Sequence, residues 1–421
     1  MILLKNINYL DIENEKIIND IDILIKDDKI EKIGKNLEFN AQVYNMENHL
    51  AIPAIVNGHT HLGMTMMRNL ADDLNLQTWL NTKIWPLEAK LTDDDIYWST
   101  VLSLIENMKS GVALTCDMYA SMDYVAKAVL ESKTRCVLTR GLMDMDGNGE
   151  NRLDEFKDLY KKFNDDKYIK VLPAPHAIYT CSTDYLKEIL KISNEYNTMI
   201  NIHLSETMIE VKESIKKYKL TPLMYLKSLG YLNNHIIAAH CTHLTDEEIR
   251  EIENKSFYPI YNPSSNLKLA SGFTPIQKML NHNIKIGIGT DGSSSNNNQD
   301  MFEEMHLAGL VNKAKDNDPT SVKAINVLKM ATINNREIFK FNNGIIKENA
   351  FADIAILDLD SLSFTPKNNL ISALCYSASS YDVKHLIIGG EFVMKNREIL
   401  TLDEEKAKYM VNKLTEDILR R

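Results

Sequence analysis

Ala51-Ile52-Pro53-Ala54-Ile55-Val56-Asn57-Gly58-His59-Thr60-His61 is the stretch that decides the fold. Read as a strand, the apolar run Ala51 to Val56 carries His59 and His61 on alternate residues, so both imidazoles face one side and can grip one cation. Three later segments repeat the arrangement. His203 closes Met199-Ile200-Asn201-Ile202, His240 closes Ile236-Ile237-Ala238-Ala239, and Asp291 closes Ile286-Gly287-Ile288-Gly289-Thr290. Taken singly, each is an ordinary core histidine or a helix-capping aspartate. Four of them at the C-terminal ends of expected strands read as one site.

The text around this stretch sets the architecture. Residues 1 to about 54 read as short strands (Ile2 to Lys5, Ile21 to Ile25, Asp28 to Ile33) broken by Asp, Asn and Gly. From Ala51 to about Lys340, apolar strands alternate with amphipathic helices, the pattern of parallel βα units. The segment Thr92 to Gly111 shows the helix logic, with a capping Thr, acids in the first turn and a terminating Gly. Thr245 and Thr274 are expected to start helices in the same way. Past Gly344 strand-like text returns in Asp353 to Asp358 and His385 to Met394. About eight βα units predict an α/β fold, a (β/α)8 TIM barrel over 55–344, with a small β-sandwich domain built from both termini, 1–54 plus 345–421. Barrel active sites lie at the C-terminal strand ends, where the histidines and Asp291 fall.

A chain of 421 residues, 44% hydrophobic, can bury a large core. Its net charge of −10, without a basic block, disfavours nucleic acid and anionic membranes as partners. The five cysteines lack paired spacing, which points to reduced thiols and a cytoplasmic location. No segment nears the ~18 apolar residues of a membrane span. A small molecule is the expected partner, and a homo-oligomer, dimer or tetramer, the expected assembly.

His59, His61, His203 and Asp291 suit a borderline divalent ion such as Zn²⁺ with one position left for water. His176 also follows an apolar strand, but no lysine stands at that strand end to become a bridging carbamate, so one metal per subunit is expected. Glu206, three residues past His203, leaves the same strand and can donate and accept protons beside the metal. It would equally serve as an acid favourable to a helix N-terminus over Glu206 to Tyr218. His243 is read as a loop residue that hydrogen-bonds locally.

These residues, with the texts Trp85-Pro-Leu-Glu88, Thr139-Arg140-Gly141-Leu142, Ala174-Pro-His176-Ala-Ile-Tyr179, Tyr261-Asn-Pro-Ser-Ser-Asn266 and Gly289-Thr-Asp291-Gly-Ser-Ser-Ser-Asn-Asn, resemble the amidohydrolase superfamily over nearly the whole chain. Within it the chain is most similar to the deaminases of 5′-methylthioadenosine and S-adenosylhomocysteine. The resemblance implies that His59, His61, His203 and Asp291 ligate Zn²⁺, with Fe²⁺ or Mn²⁺ compatible, and that Asp291 accepts a proton from the attacking water. It implies that His240 orients that water and Glu206 protonates purine N1. Glu88 would accept the ribose hydroxyls, His176 would contact the nucleoside, and Arg152 and Arg140 would face the 5′ substituent, for which a surface ion pair is the plain alternative. The implied reaction converts 5′-methylthioadenosine, S-adenosylhomocysteine, 5′-deoxyadenosine or adenosine to the inosine analogue and ammonia. An aminohydrolase or chlorohydrolase of another purine or triazine ring is the alternative. A metal-free scaffold is the rival outside enzymes. Two texts depart from the family, Pro53-Ala54 for Pro-Gly and Thr332-Ile-Asn-Asn-Arg336 for Gly-Ala after Met-Ala-Thr, both expected away from the chemistry.

Overall fold

In the computed structural model, which describes residues 1–341 and 344–421, the apolar run Ala51 to Val56 is not one strand but two, in different sheets. Strands β1 (Ile2–Asp11), β2 (Lys16–Lys26), β3 (Lys29–Gly34), β4 (Gln42–Asn45) and β5 (His49–Pro53) precede a break at Ala54. Next come β6 (Ile55–Thr60), β7 (Val112–Tyr119), β8 (Arg135–Leu142), β9 (Ile169–Pro175), β10 (Ile200–Leu204), β11 (Ile236–His240), β12 (Phe257–Tyr261) and β13 (Gly287–Ile288). Strands β14 (Ile354–Asp358), β15 (Val383–Ile388), β16 (Glu391–Lys395) and β17 (Glu398–Ile399) return to the first group.

The middle strands β6 to β13 form the barrel. Each pairs in parallel with its successor within β6 to β9 and within β10 to β13. Backbone bonds close both seams: His203 N–H donates to His176 O at 3.0 Å, and Asp291 N–H to His59 O at 2.9 Å. Burial on both faces explains why Ile236 to Ala239 of β11 reads as continuous apolar text. The helix Asp93–Lys109 begins at a Thr92–Asp95 capping box, and Gly111, at φ +79°, follows its end. Thr245 caps Asp246–Ile252 likewise. Thr274 does not cap its helix, Ile276–Asn281; its hydroxyl is spent on the His240 carbonyl at 2.9 Å.

The terminal strands form one hydrogen-bonded sheet in the order β17-β16-β15-β14-β5-β1-β2-β3, with β4 beside β1. The sheet folds over on itself, since Tyr44 on β4 meets Phe392 on β16 with ring centroids 4.9 Å apart. Leu4, Ile23, Ile25, Ala51, Ile354 and Ile387 fill the space enclosed. The run His385 to Met394 is two strands rather than one. Gly389 and Gly390 turn it at φ +56° and +79°, and a Cβ on Gly390 would lie 1.8 Å from Asp27 O.

A buried ion cluster joins the sheet to the barrel. Asp353 accepts Arg135 Nε and Nη2 at 2.9 and 3.1 Å, Arg336 Nη1 at 2.7 Å and Gly389 N–H at 2.7 Å. Asn335 Nδ2 donates to Val56 O and Ile288 O, each at 2.9 Å, bridging β6 and β13. The departure text 332–336 is therefore spent on holding strands together. All five cysteines are free and buried. Among the described residues no helix is long and apolar enough to cross a membrane.

Candidate active site

His59 on β6, His61 just past it, His203 on β10 and Asp291 just past β13 converge at the C-terminal mouth of the barrel. His203 Nε2 lies 3.1 Å from His59 Nε2, and Asp291 Oδ1 lies 3.5 Å from His59 Nε2 and 3.1 Å from His61 Nε2. A tetrahedral Zn²⁺ with bonds of about 2.0–2.1 Å spaces its ligand atoms roughly 3.3 Å apart, so this donor set fits such an ion. Two of the rings are aimed from behind. His61 Nδ1–H donates to Met118 O at 2.5 Å and His203 Nδ1–H to His176 O at 2.8 Å, which leaves each Nε2 lone pair facing inward. Burial pushes His59 down to about 4 and, with its histidine neighbours, His203 well below the usual range, so both are neutral.

Asp291 is held by hydroxyls that the sequence reading assigns no role. Ser265 and Ser295 donate to Oδ2 at 2.6 and 2.9 Å. His240 ends β11 and turns its Nδ1–H to Asn266 Oδ1 at 2.9 Å, leaving Nε2 3.8 Å from Glu206 Oε2. Glu206 precedes the helix Met208–Tyr218, which Thr207 caps. The Glu206 backbone is pinned on both sides: Glu210 accepts the N–H groups of Ser205 and Glu206 at 3.1 and 2.8 Å, and Thr242 Oγ1 donates to their carbonyls at 2.9 and 2.5 Å. Burial raises the Glu206 carboxyl above the usual carboxylate range against the opposing pull of His240. His243 bonds Ser271 O at 2.6 Å.

A cavity of about 240 Å³ opens on this cluster and is lined by His61, Glu88, His176, His203, Glu206, His240 and Asp291 among apolar walls that include Trp79, Trp85 and Met118. Glu88 ends the helix Trp85–Glu88; burial raises its carboxyl, with Tyr119 and His61 opposing. Arg140, on β8, also lines the cavity, while its Nε donates to Glu155 at 2.6 Å. Arg152 stands apart from that lining. It makes a two-pronged pair with Asp146, both arms 2.6 Å, and donates to Met143 O at 2.7 Å.

The model of the family described as "Amidohydrolase family" matches residues 50–393. This chain belongs to that family. A 5-methylthioadenosine/S-adenosylhomocysteine deaminase of Caldanaerobacter subterraneus subsp. tengcongensis is 44% identical over 100% of this chain and 99% of its own. A 5′-deoxyadenosine deaminase of Methanocaldococcus jannaschii is 43% identical over 91% and 93%. A zinc-bound adenosine deaminase from Xanthomonas campestris superposes with a TM-score of 0.97 at 28% identity, covering 100% and 99% of the two chains. The amidohydrolase barrel with its small β unit is thus the fold here, and metal dependence comes with the family. Ser265, Asn266 and Ser295 fall inside texts that resemble the family, yet only the folded site shows which atoms they hold.

Proposed function

We propose that this amidohydrolase is a zinc-dependent deaminase of adenosine 5′-derivatives, replacing the 6-amino group by oxygen and releasing ammonia. Residues 55–344 are the catalytic barrel and 1–54 with 345–421 its β companion; the enzyme works in the cytoplasm as a dimer or tetramer. The observation that carries the reading is the convergence on one cavity of His61, His203 and Asp291 on its wall, His59 3.1 and 3.5 Å from the last two, the buried carboxyl of Glu206 beside them and a second carboxyl, Glu88. Held by His59, His61, His203 and Asp291, a divalent ion would lower the pKa of water toward neutrality. Asp291 takes a proton from the attacking water, and His240 Nε2 orients that water. Glu206 delivers a proton to N1, which makes C6 electrophilic, and then passes a proton to the leaving ammonia. Glu88 accepts both donors of the ribose diol and His176 packs on the nucleoside. Arg140 receives a 5′ carboxylate when there is one, and Arg152, outside the cavity lining, joins it by exchanging Asp146 for that carboxylate.

Ammonia release measured across 5′-methylthioadenosine, S-adenosylhomocysteine, 5′-deoxyadenosine and adenosine, with free adenine and an aminotriazine as controls, tests the proposal. Turnover of the nucleosides with little on the controls is expected. Preference for the free base or the triazine would replace it with the alternative.

A further inference from the structure

Gln299 lies between Asp291 and the helix Met301–Asp316, fully buried and away from the cavity wall. Its amide is divided between the two segments that bear the metal donors. Nε2 donates to Asp291 O at 3.0 Å and to Ser293 Oγ at 3.2 Å. Oε1 accepts Thr60 Oγ1 at 2.8 Å and Thr290 Oγ1 at 3.0 Å, with Asn57 Nδ2 and Asn107 Nδ2 at 3.2 and 3.3 Å. Thr60 stands between His59 and His61.

One backbone bond crosses this seam at Asp291, its N–H to His59 O at 2.9 Å, and side chains supply the rest, since β13 is two residues long and its ladder with β12 has ended before Asp291 is reached. Asp291 itself sits at φ +64°, in the left-handed region that a non-glycine residue keeps only when its surroundings over-determine it. A carboxamide offers a donor and an acceptor a fixed distance apart, so one side chain can satisfy the Asp291 carbonyl with one end and the Thr60 hydroxyl with the other. The Thr60 and Thr290 hydroxyls also reach Asp291 O, at 3.2 and 2.9 Å, so a hydrocarbon of equal size would leave them that one shared acceptor and would take from Ser293 Oγ the amide N–H that reaches it.

We propose that Gln299 is a positioning residue of the metal site, its amide clamping the His59-Thr60-His61 strand to the Asp291 turn and so setting the gap between imidazoles and carboxylate. The inference rests on the metal-site reading above. It concerns how this chain holds its donors rather than which donors they are.

The test is Gln299→Met, compared with wild type for Zn²⁺ affinity by chelator competition, for the visible spectrum of the Co²⁺-substituted protein, for kcat and KM separately, and for the melting temperature of the metal-free protein. Zinc binding weaker by about 10- to 100-fold, a changed cobalt spectrum, and a loss in kcat with little change in KM are expected. Unchanged zinc affinity and an unchanged cobalt spectrum would overturn the proposal, even if the metal-free protein melts lower, because packing alone would then be the role. Should the Met variant not fold, Gln299→Asn keeps a buried amide that is one methylene too short to reach both segments and leaves the Thr60 hydroxyl its direct bond to Asp291 O. A loss of zinc affinity there supports the clamp and wild-type affinity refutes it. Failure of the metal reading shows separately, as wild-type protein that binds no stoichiometric zinc.

Discussion

Replacing Glu206 tests the proton shuttle, and the surrounding structure sets how large the effect must be. Glu206→Gln preserves volume and the oxygen 3.4 Å from Ser271 Oγ, but an amide cannot hand a proton to a ring nitrogen. Loss of general acid–base help of this kind costs about 10²- to 10⁴-fold in kcat, equivalent to roughly 2.7 to 5.4 kcal/mol of barrier at 1.36 kcal/mol per decade. Glu206→Asp asks a different question. Because Glu210 and Thr242 grip the backbone from both sides, the chain cannot advance to compensate for a missing methylene, and the carboxyl is withdrawn by roughly 1.5 Å, one C–C bond. A displacement near 1 Å can cost about 10²-fold, so the aspartate variant should fall nearly as far although it still titrates. Initial rates from the ultraviolet change at the purine ring, with zinc content and melting temperature measured on the same samples, provide the assay. A glutamine variant that turns over near the wild-type rate with full metal would transfer the proton to another group and refute the reasoning.

His203→Ala should empty the metal site and abolish turnover while the protein stays folded; retained zinc with normal activity would remove the donor set argued above. Asp353→Asn removes the carboxylate that the buried guanidinium groups of Arg135 and Arg336 share and should cost about 3–5 kcal/mol of stability at neutral pH in denaturant titrations. Burial alone would raise the Asp353 carboxyl, but the charges of Arg336 and Arg135 outweigh it and hold it well below the usual range. Its contribution is therefore present above the unfolded pKa of about 3.9 and lost as pH falls below that, so the difference between variant and wild type should shrink in acid; an undiminished gap there would contradict the coupling. Arg140→Ala and Arg152→Ala should each lower kcat/KM for S-adenosylhomocysteine by roughly ten- to hundredfold, as expected for a charge-assisted pair, and spare 5′-methylthioadenosine, whereas Glu88→Ala should weaken every ribose-bearing substrate alike. Equal losses across all the nucleosides in the arginine variants would place those residues in support of the fold.

Read by itself, the sequence determined the barrel, the helix starts at Thr92 and Thr245 and the strand-end positions of His59, His61, His203, His240 and Asp291. Strand periodicity, capping boxes and terminating glycines act over a few residues, so they are written locally. It did not reveal the break at Ala54, because Ala51 to Val56 is equally apolar on both sides and only the partners differ, β14 for β5 and β7 for β6. Thr274 reads as a cap but serves His240, 34 residues away. Arg152 could reach Asp146, six residues earlier, or a ligand, and nothing local decides between them. The devices that hold the site in place lay furthest from view: Ser265 on Asp291, Thr242 on Glu206, and Gln299 on Thr60, 26, 36 and 239 residues apart in the chain. A hydrogen bond requires its two atoms within about 3 Å in a fixed direction, and for residues this distant only closure of the barrel brings them there.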